Sequence, residues 1–196
     1  MGFLLFIVLL LLILSLILSV IKTGRFKRTA IAIRVMSIAA GIGFFAYWFV
    51  DKSIDKYLKD SMAFQIINEL PQPLDFYVVT VEKKDDQKVY TTKHIGKIRT
   101  DHYRLDYLRM ANSNEYWLAG YLGKNLSYFA PKYVPNKNID QIVNIDNYKI
   151  ENEELAEVAK TYIEEYKGQD LRTSIRITLS LLLLFLNIGL FIKIKD

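Results

Sequence analysis

Three stretches of this chain are too apolar to face water along their whole length, and they limit what it can fold into. Phe3–Ile21 is a 19-residue run in which only Ser15 and Ser19 are polar. Wound as a helix at about 1.5 Å per residue, it covers roughly 28 Å, close to the hydrocarbon thickness of a bilayer. Thr29–Val50 carries Arg34 as its one charge. Its far end is aromatic (Phe44, Phe45, Tyr47, Trp48, Phe49), as expected where rings sit half dry at a membrane boundary. Ser174–Ile192 is the third stretch, interrupted by Arg176, Ser180 and Asn187. A simple soluble globule is therefore excluded. A disordered or collagen-like chain is excluded too, because 13% of the residues are aromatic against only 9 Gly and 4 Pro.

A cleaved signal peptide needs a basic N-region, a shorter apolar core and a small-residue cleavage site. No Lys or Arg precedes the first run, and no A-x-A pattern follows it. The segmentation predicts transmembrane helices over 1–21, 29–50 and 173–192, a basic loop over 22–28, a water-exposed domain over 51–172 and a tail over 193–196.

The net charge of +5 belongs to the membrane pattern. Residues 1–50 hold five basic residues and no acid, whereas residues 51–172 hold 18 basic and 20 acidic ones. A near-neutral domain lacks the basic groove that phosphate backbones require. The loop Lys22–Arg28 has four positive charges and no negative one, and short positive loops stay in the cytoplasm. The N-terminus and residues 51–172 are then expected outside and the C-terminus inside, which in a bacterium means an inner-membrane protein with a periplasmic domain. With a seven-residue loop and a four-residue tail on that side, no cytoplasmic catalytic or DNA-binding domain is expected. The absence of cysteine removes disulfides, thiolate metal sites and Cys nucleophiles.

Polar groups inside a membrane are functional candidates by default. Ser15, Arg34 and Asn187 fall at similar depth in the three spans and are the candidates for an intramembrane hydrogen-bonded cluster; the alternative has Arg34 reaching to the nearby surface. No Asp or Glu occurs within the three runs, so a proton or cation relay lacks its usual residues. Ser37/Gly41 and Ala39/Gly43 are small-xxx-small pairs on the second span, suited to close packing within the bundle or against a partner helix.

For residues 51–172 the fold class is α+β: an antiparallel sheet with flanking helices, inserted between spans two and three. Ile54, Leu58, Met62, Ile66 and Leu70 recur every four residues, which predicts a stalk helix over 51–70 that Pro71 and Pro73 end. Strands are predicted at Leu74–Glu82, Lys88–His94, Tyr116–Leu122, Leu126–Val134 and within Ile139–Ile150, while Ile98–Met110 fits strand or helix. Gly123-Lys124-Asn125 predicts a hairpin turn, and Pro131 an edge strand or bulge. Asn152 followed by Glu153 and Glu154 reads as a helix start, and Gly168 as the stop of a helix over 153–167.

The chemistry is sparse. His94 and His102 are the only histidines, with Asp101 and Asp106 near the second, and their eight-residue separation fixes no metal geometry. There is no G-x-S-x-G, H-E-x-x-H, Walker A or G-x-G-x-x-G motif. No catalytic, cofactor-binding or metal-binding residue and no cofactor is assigned. Tyrosine is the unusual feature, with 13 in the chain and most of them between Tyr77 and Tyr166. Such rings serve either core packing or protein interfaces. A docking face on the 116–134 hairpin would use Tyr116, Trp117, Tyr121, Lys124, Tyr128 and Phe129. Replacing Trp117 or Tyr121 by Ala is then expected to weaken a partner without unfolding the domain. The expected function is a non-catalytic integral membrane subunit, held in lipid, that anchors or assembles a complex by binding another protein and no nucleic acid. The alternatives are an extracytoplasmic sensor or ligand-binding module signalling through partner membrane proteins, and thirdly a membrane-bound enzyme.

Overall fold

The computed structural model describes residues 2–21, 23–54, 61–84, 87–110, 112–136 and 139–193. The chain divides into two compact units, residues 1–54 with 168–196, and residues 55–167. Its class is α+β, with two sheets and three helices among the described residues.

The first unit is helical. Helix α1 covers Gly2–Leu18 and helix α2 covers Lys27–Ile54, while α3, Glu153–Ile192, gives this unit its second half. Helices α2 and α3 are each long and apolar enough to cross a membrane; α1, at 17 residues, is a shorter apolar helix. Turns continue the α1 run, with Ser19, Val20 and Ile21 N–H groups donating to Leu16, Ile17 and Leu18 carbonyls. Val8, Leu12 and Leu184 are buried together, with Ile38, Phe44 and Ile188 against them. Gly41 lies inside this packing, where a Cβ would stand 3.1 Å from Leu184 Cδ1, so a small residue is required there for the helices to approach.

The second unit is a three-layer domain. Strands β1 (Ser61–Asn68), β4 (His102–Arg109) and β7 (Gln141–Ile145) form one sheet in the order β4-β1-β7. Strands β2 (Leu74–Lys84), β3 (Gln87–Ile98), β5 (Ser113–Leu122) and β6 (Asn125–Tyr133) form the other, ordered β3-β2-β5-β6. Among the described residues, the pairings between these strands are antiparallel except β1 with β7. The sequences of β2 and β5 explain their central place. Phe76-Tyr77-Val78-Val79 and Tyr116-Trp117-Leu118-Ala119 are unbroken apolar runs, so each strand has two faces to cover. One face meets the first sheet through Phe64, Ile66, Phe76, Val78, Leu118 and Tyr128. The other meets the start of α3, where Ala156, Ala159 and Ile163 pack on Tyr77, Val79, Trp117 and Phe129.

Several predicted elements change. The stalk helix over 51–70 does not run its full length: α2 is described through Ile54, residues 55–60 lie outside the described residues, and 61–68 is strand β1. A four-residue spacing is also twice a two-residue one. Phe64, between Met62 and Ile66, completes an alternation that buries all three against the second sheet. The predicted stop at Gly168 is also absent, since α3 runs through it to Ile192. Nothing stands within 4 Å of where its Cβ would be, and one exposed glycine costs a helix only about 1 kcal/mol. Ile98–Met110 resolves as the end of β3 and strand β4. Strand β6, with Pro131, is the edge of its sheet, and Gly123 at φ 64° makes the turn before it. Asn152 Oδ1 accepts the Leu155 N–H at 2.9 Å and caps α3.

Candidate functional site

The tyrosine-rich hairpin β5–β6 builds the interior of the domain. Tyr116, Trp117 and Phe129 are 0% exposed, Tyr128 2% and Tyr121 3%. Of the six candidate docking residues only Lys124, at the hairpin tip, is exposed. The rings divide by strand parity. Tyr116 and Tyr128 point between the sheets, with Tyr116 edge-on to Phe64 at 5.9 Å. Trp117, Tyr121 and Phe129 point toward α3. Trp117 sits 5.3 Å from the Tyr90 ring and donates Nε1–H to Glu115 Oε1 at 2.6 Å.

Burial raises the phenol pKa values, because the phenolate loses its hydration. Tyr116 is pushed up to about 12 by burial. Tyr121 and Tyr128 reach about 12 as well, with Glu164 and Glu157 adding to the first and Glu151 to the second. Tyr77 is raised by burial and then by Asp75. A folded pKa above the unfolded value of about 10 stabilises the fold fully below pH 10, and that stability drains away as pH rises toward 12. The melting temperature is therefore expected to stay level to about pH 9 and fall steeply between about pH 10 and 12. Circular dichroism melts paired with tyrosinate absorbance would show it. Tyrosines ionising near pH 10 with no loss of melting temperature would contradict this burial.

A polar corner lies beside these rings. His94 Nε2 and Asp75 Oδ1 are 2.7 Å apart, and Tyr77 Oη donates to Asp75 Oδ2 at 3.0 Å. The His94 and Tyr77 rings stack at 4.5 Å. On the other side, Lys167 Nζ stands 4.6 Å from the Tyr77 ring and 4.2 Å from the Tyr121 ring. Asp75 and His94 meet because a bulge after Phe76, with Gly96 at φ 101°, shifts the β2–β3 register. His102 is elsewhere, with Nδ1 against the Thr100 carbonyl. The two histidines are thus not brought together. Asp101 takes a left-handed turn at φ 56°, and Asp106 pairs with Lys93 at 2.7 Å.

The surface that sequence reasoning missed is the outer face of the first sheet. Parity places Met62, Phe64 and Ile66 inward, so Gln65 and Ile67 face out. Gln65 is flanked by Leu105 and Ile142, and Ile67 by Tyr103. Leu105 is 53% exposed, Ile142 66% and Tyr103 67%. The alternation of Tyr103, Leu105 and Tyr107 carried this signal, but without the β1 pairing its direction was open.

In the helical unit, Ser15 Oγ donates to Asn187 Oδ1 at 2.7 Å, and Asn187 Nδ2 donates to the Leu12 and Leu183 carbonyls at 3.1 and 2.8 Å. Arg34 stands apart from this pair, buried, with its guanidinium carbon 5.7 Å from the Phe191 ring. Ser37 is buried and bonds to the Ile33 carbonyl, and Gly41 packs inside as described. Ala39 and Gly43 are on the exposed side of α2. Compared with protein-family models, curated proteins and solved structures, the chain matches none.

Proposed function

We propose that this chain is a non-catalytic integral membrane subunit, for anchoring or assembly, whose extracytoplasmic domain binds another protein. The observation that carries this reading is the outer face of sheet β4-β1-β7. It presents Tyr103, Leu105 and Ile142 to solvent on a domain whose other sheet is covered on both faces. Large apolar side chains exposed on one sheet face suit a protein partner with an apolar patch of its own. Support for three spans, with residues 51–172 outside, comes from the apolar runs and the basic loop 22–28. The exposed Ala39/Gly43 side of α2 offers a partner helix a close approach.

The test is affinity purification of the tagged chain from native membranes in mild detergent. A stoichiometric partner is expected, and Leu105→Arg should remove it while leaving the melting temperature within about 2 °C, as for a surface substitution. Recovery of the chain alone across several detergents would overturn the subunit reading.

A sensor or ligand-binding module is the second reading. An open cleft of about 420 Å³ favours it, between the hairpin tip (Lys124, Leu126) and the first turns of α3 (Glu153, Glu157, Lys160). A small ligand that raises the melting temperature would select it.

A further inference from the structure

Arg34 lines a cavity of about 230 Å³ with two further cations, Lys27 and Lys193, and apolar walls from Leu18, Ile21 and Ile31. Among the described residues, no acidic one lines it. The Arg34 side chain is 2% exposed, and its Nε and Nη2 are buried with no hydrogen-bond partner among the described residues. A buried guanidinium with idle donors is costly, and the face of Phe191 at 5.7 Å offsets little of that cost. No Asp or Glu occurs within 3–21, 29–50 or 174–192 to neutralise it. Lys27, Ala30, Ile31 and Arg34 are the first two turns of one face of α2, so the positive end of that helix adds to the same field.

We propose that this pocket binds the phosphate group of an anionic phospholipid. Two unpartnered planar N–H donors on a residue that lines the cavity match phosphate oxygens, and two flexible lysines supply the remaining charge. The apolar walls suit the glycerol and first methylenes of a lipid better than a hydrated free ion, and basic pockets between membrane helices bind headgroups of this kind. The assignment rests on α2 lying in a bilayer. That premise has its own check, since release of the chain from membranes by alkaline carbonate would refute it separately.

The experiment uses the full chain purified in a neutral detergent, with phosphatidylglycerol, phosphatidylcholine or inorganic phosphate added. Melting temperature and lipid retention by native mass spectrometry are the readouts. Phosphatidylglycerol is expected to be retained and to raise the melting temperature, and the other two are not. Arg34→Gln should weaken that retention about tenfold. The double variant Lys27→Gln/Lys193→Gln, which touches only exposed side chains, should weaken it severalfold while melting like the parent in detergent alone. Equal retention of the two lipids, or of phosphatidylglycerol by the parent and both variants, would overturn the proposal. A melting-temperature rise with inorganic phosphate as large as with phosphatidylglycerol would assign the pocket to a free anion and overturn the lipid assignment.

Discussion

Trp117→Ala is expected to destabilise the 55–167 domain severely, not merely to loosen a contact. The indole is 0% exposed and fills the layer between β5 and α3, against Tyr90 and Phe129. Its removal deletes the largest buried side chain and leaves Glu115 without its indole N–H partner. Truncations of this kind cost about 3–5 kcal/mol, a large share of the roughly 5–15 kcal/mol that holds a domain together. Denaturant unfolding of the full chain in detergent, followed by near-ultraviolet circular dichroism, would measure it. Tyr103→Ala, on the exposed face, should shift the same curve by less than about 0.5 kcal/mol. If Trp117→Ala melted like the parent, the hairpin rings would have to be surface after all.

Asn68→Leu is expected to cost nearly as much, about 3 kcal/mol, although it adds apolar volume to the interior. Asn68 is 0% exposed. Its Nδ2 donates to the Gln72 and Ile98 carbonyls at 3.0 Å each, and its Oδ1 accepts the Leu70 N–H at 3.2 Å. One side chain thus ties together the end of β1, the Pro71–Pro73 loop and the end of β3. Leucine fills a similar space but leaves three backbone groups without these partners, at about 1–3 kcal/mol for each that stays dry. The same denaturant curves would report it, and hydrogen exchange should quicken first around residues 69–73 and 98–101. A variant as stable as the parent would mean that water reaches these groups freely.

The sequence announced the helices more clearly than the sheets. Long apolar runs leave one reading for α2 and α3, because length and charge depletion are local properties. Strands β2, β5 and β6 were legible for a similar reason, with β-branched and aromatic clusters bounded by Gly123 and by charged turns. Strand β1 was not, because Met62, Ile66 and Leu70 satisfy periods of four and two alike. Only its partners β4 and β7, distant in the chain, decide between them. The docking residues show the same limit. Composition marked Tyr116, Trp117, Tyr121, Tyr128 and Phe129 as special without saying whether they face out. Both faces of β5 are covered, so the richest aromatic cluster is core. The exposed apolar face instead falls on a strand whose local pattern was ambiguous. For Ser15, Arg34 and Asn187, position along the apolar runs alone suggested one cluster of three. Rotation about the helix axes, which that position does not contain, brings Ser15 to Asn187 and turns Arg34 into its own cavity.

The ordering β4-β1-β7 also sets a timetable for biosynthesis. The neighbours of β2 follow it along the chain through short turns or one intervening segment, so the four-stranded sheet can close soon after residue 133 has emerged. Strand β1 emerges first of all and waits longest, since its parallel mate β7 begins only at Gln141. Until then one edge of β1 stays open, the state in which nascent chains are most prone to mispair. A nascent form stalled before residue 141 would carry that open edge to whatever it meets first, a chaperone or a second nascent copy.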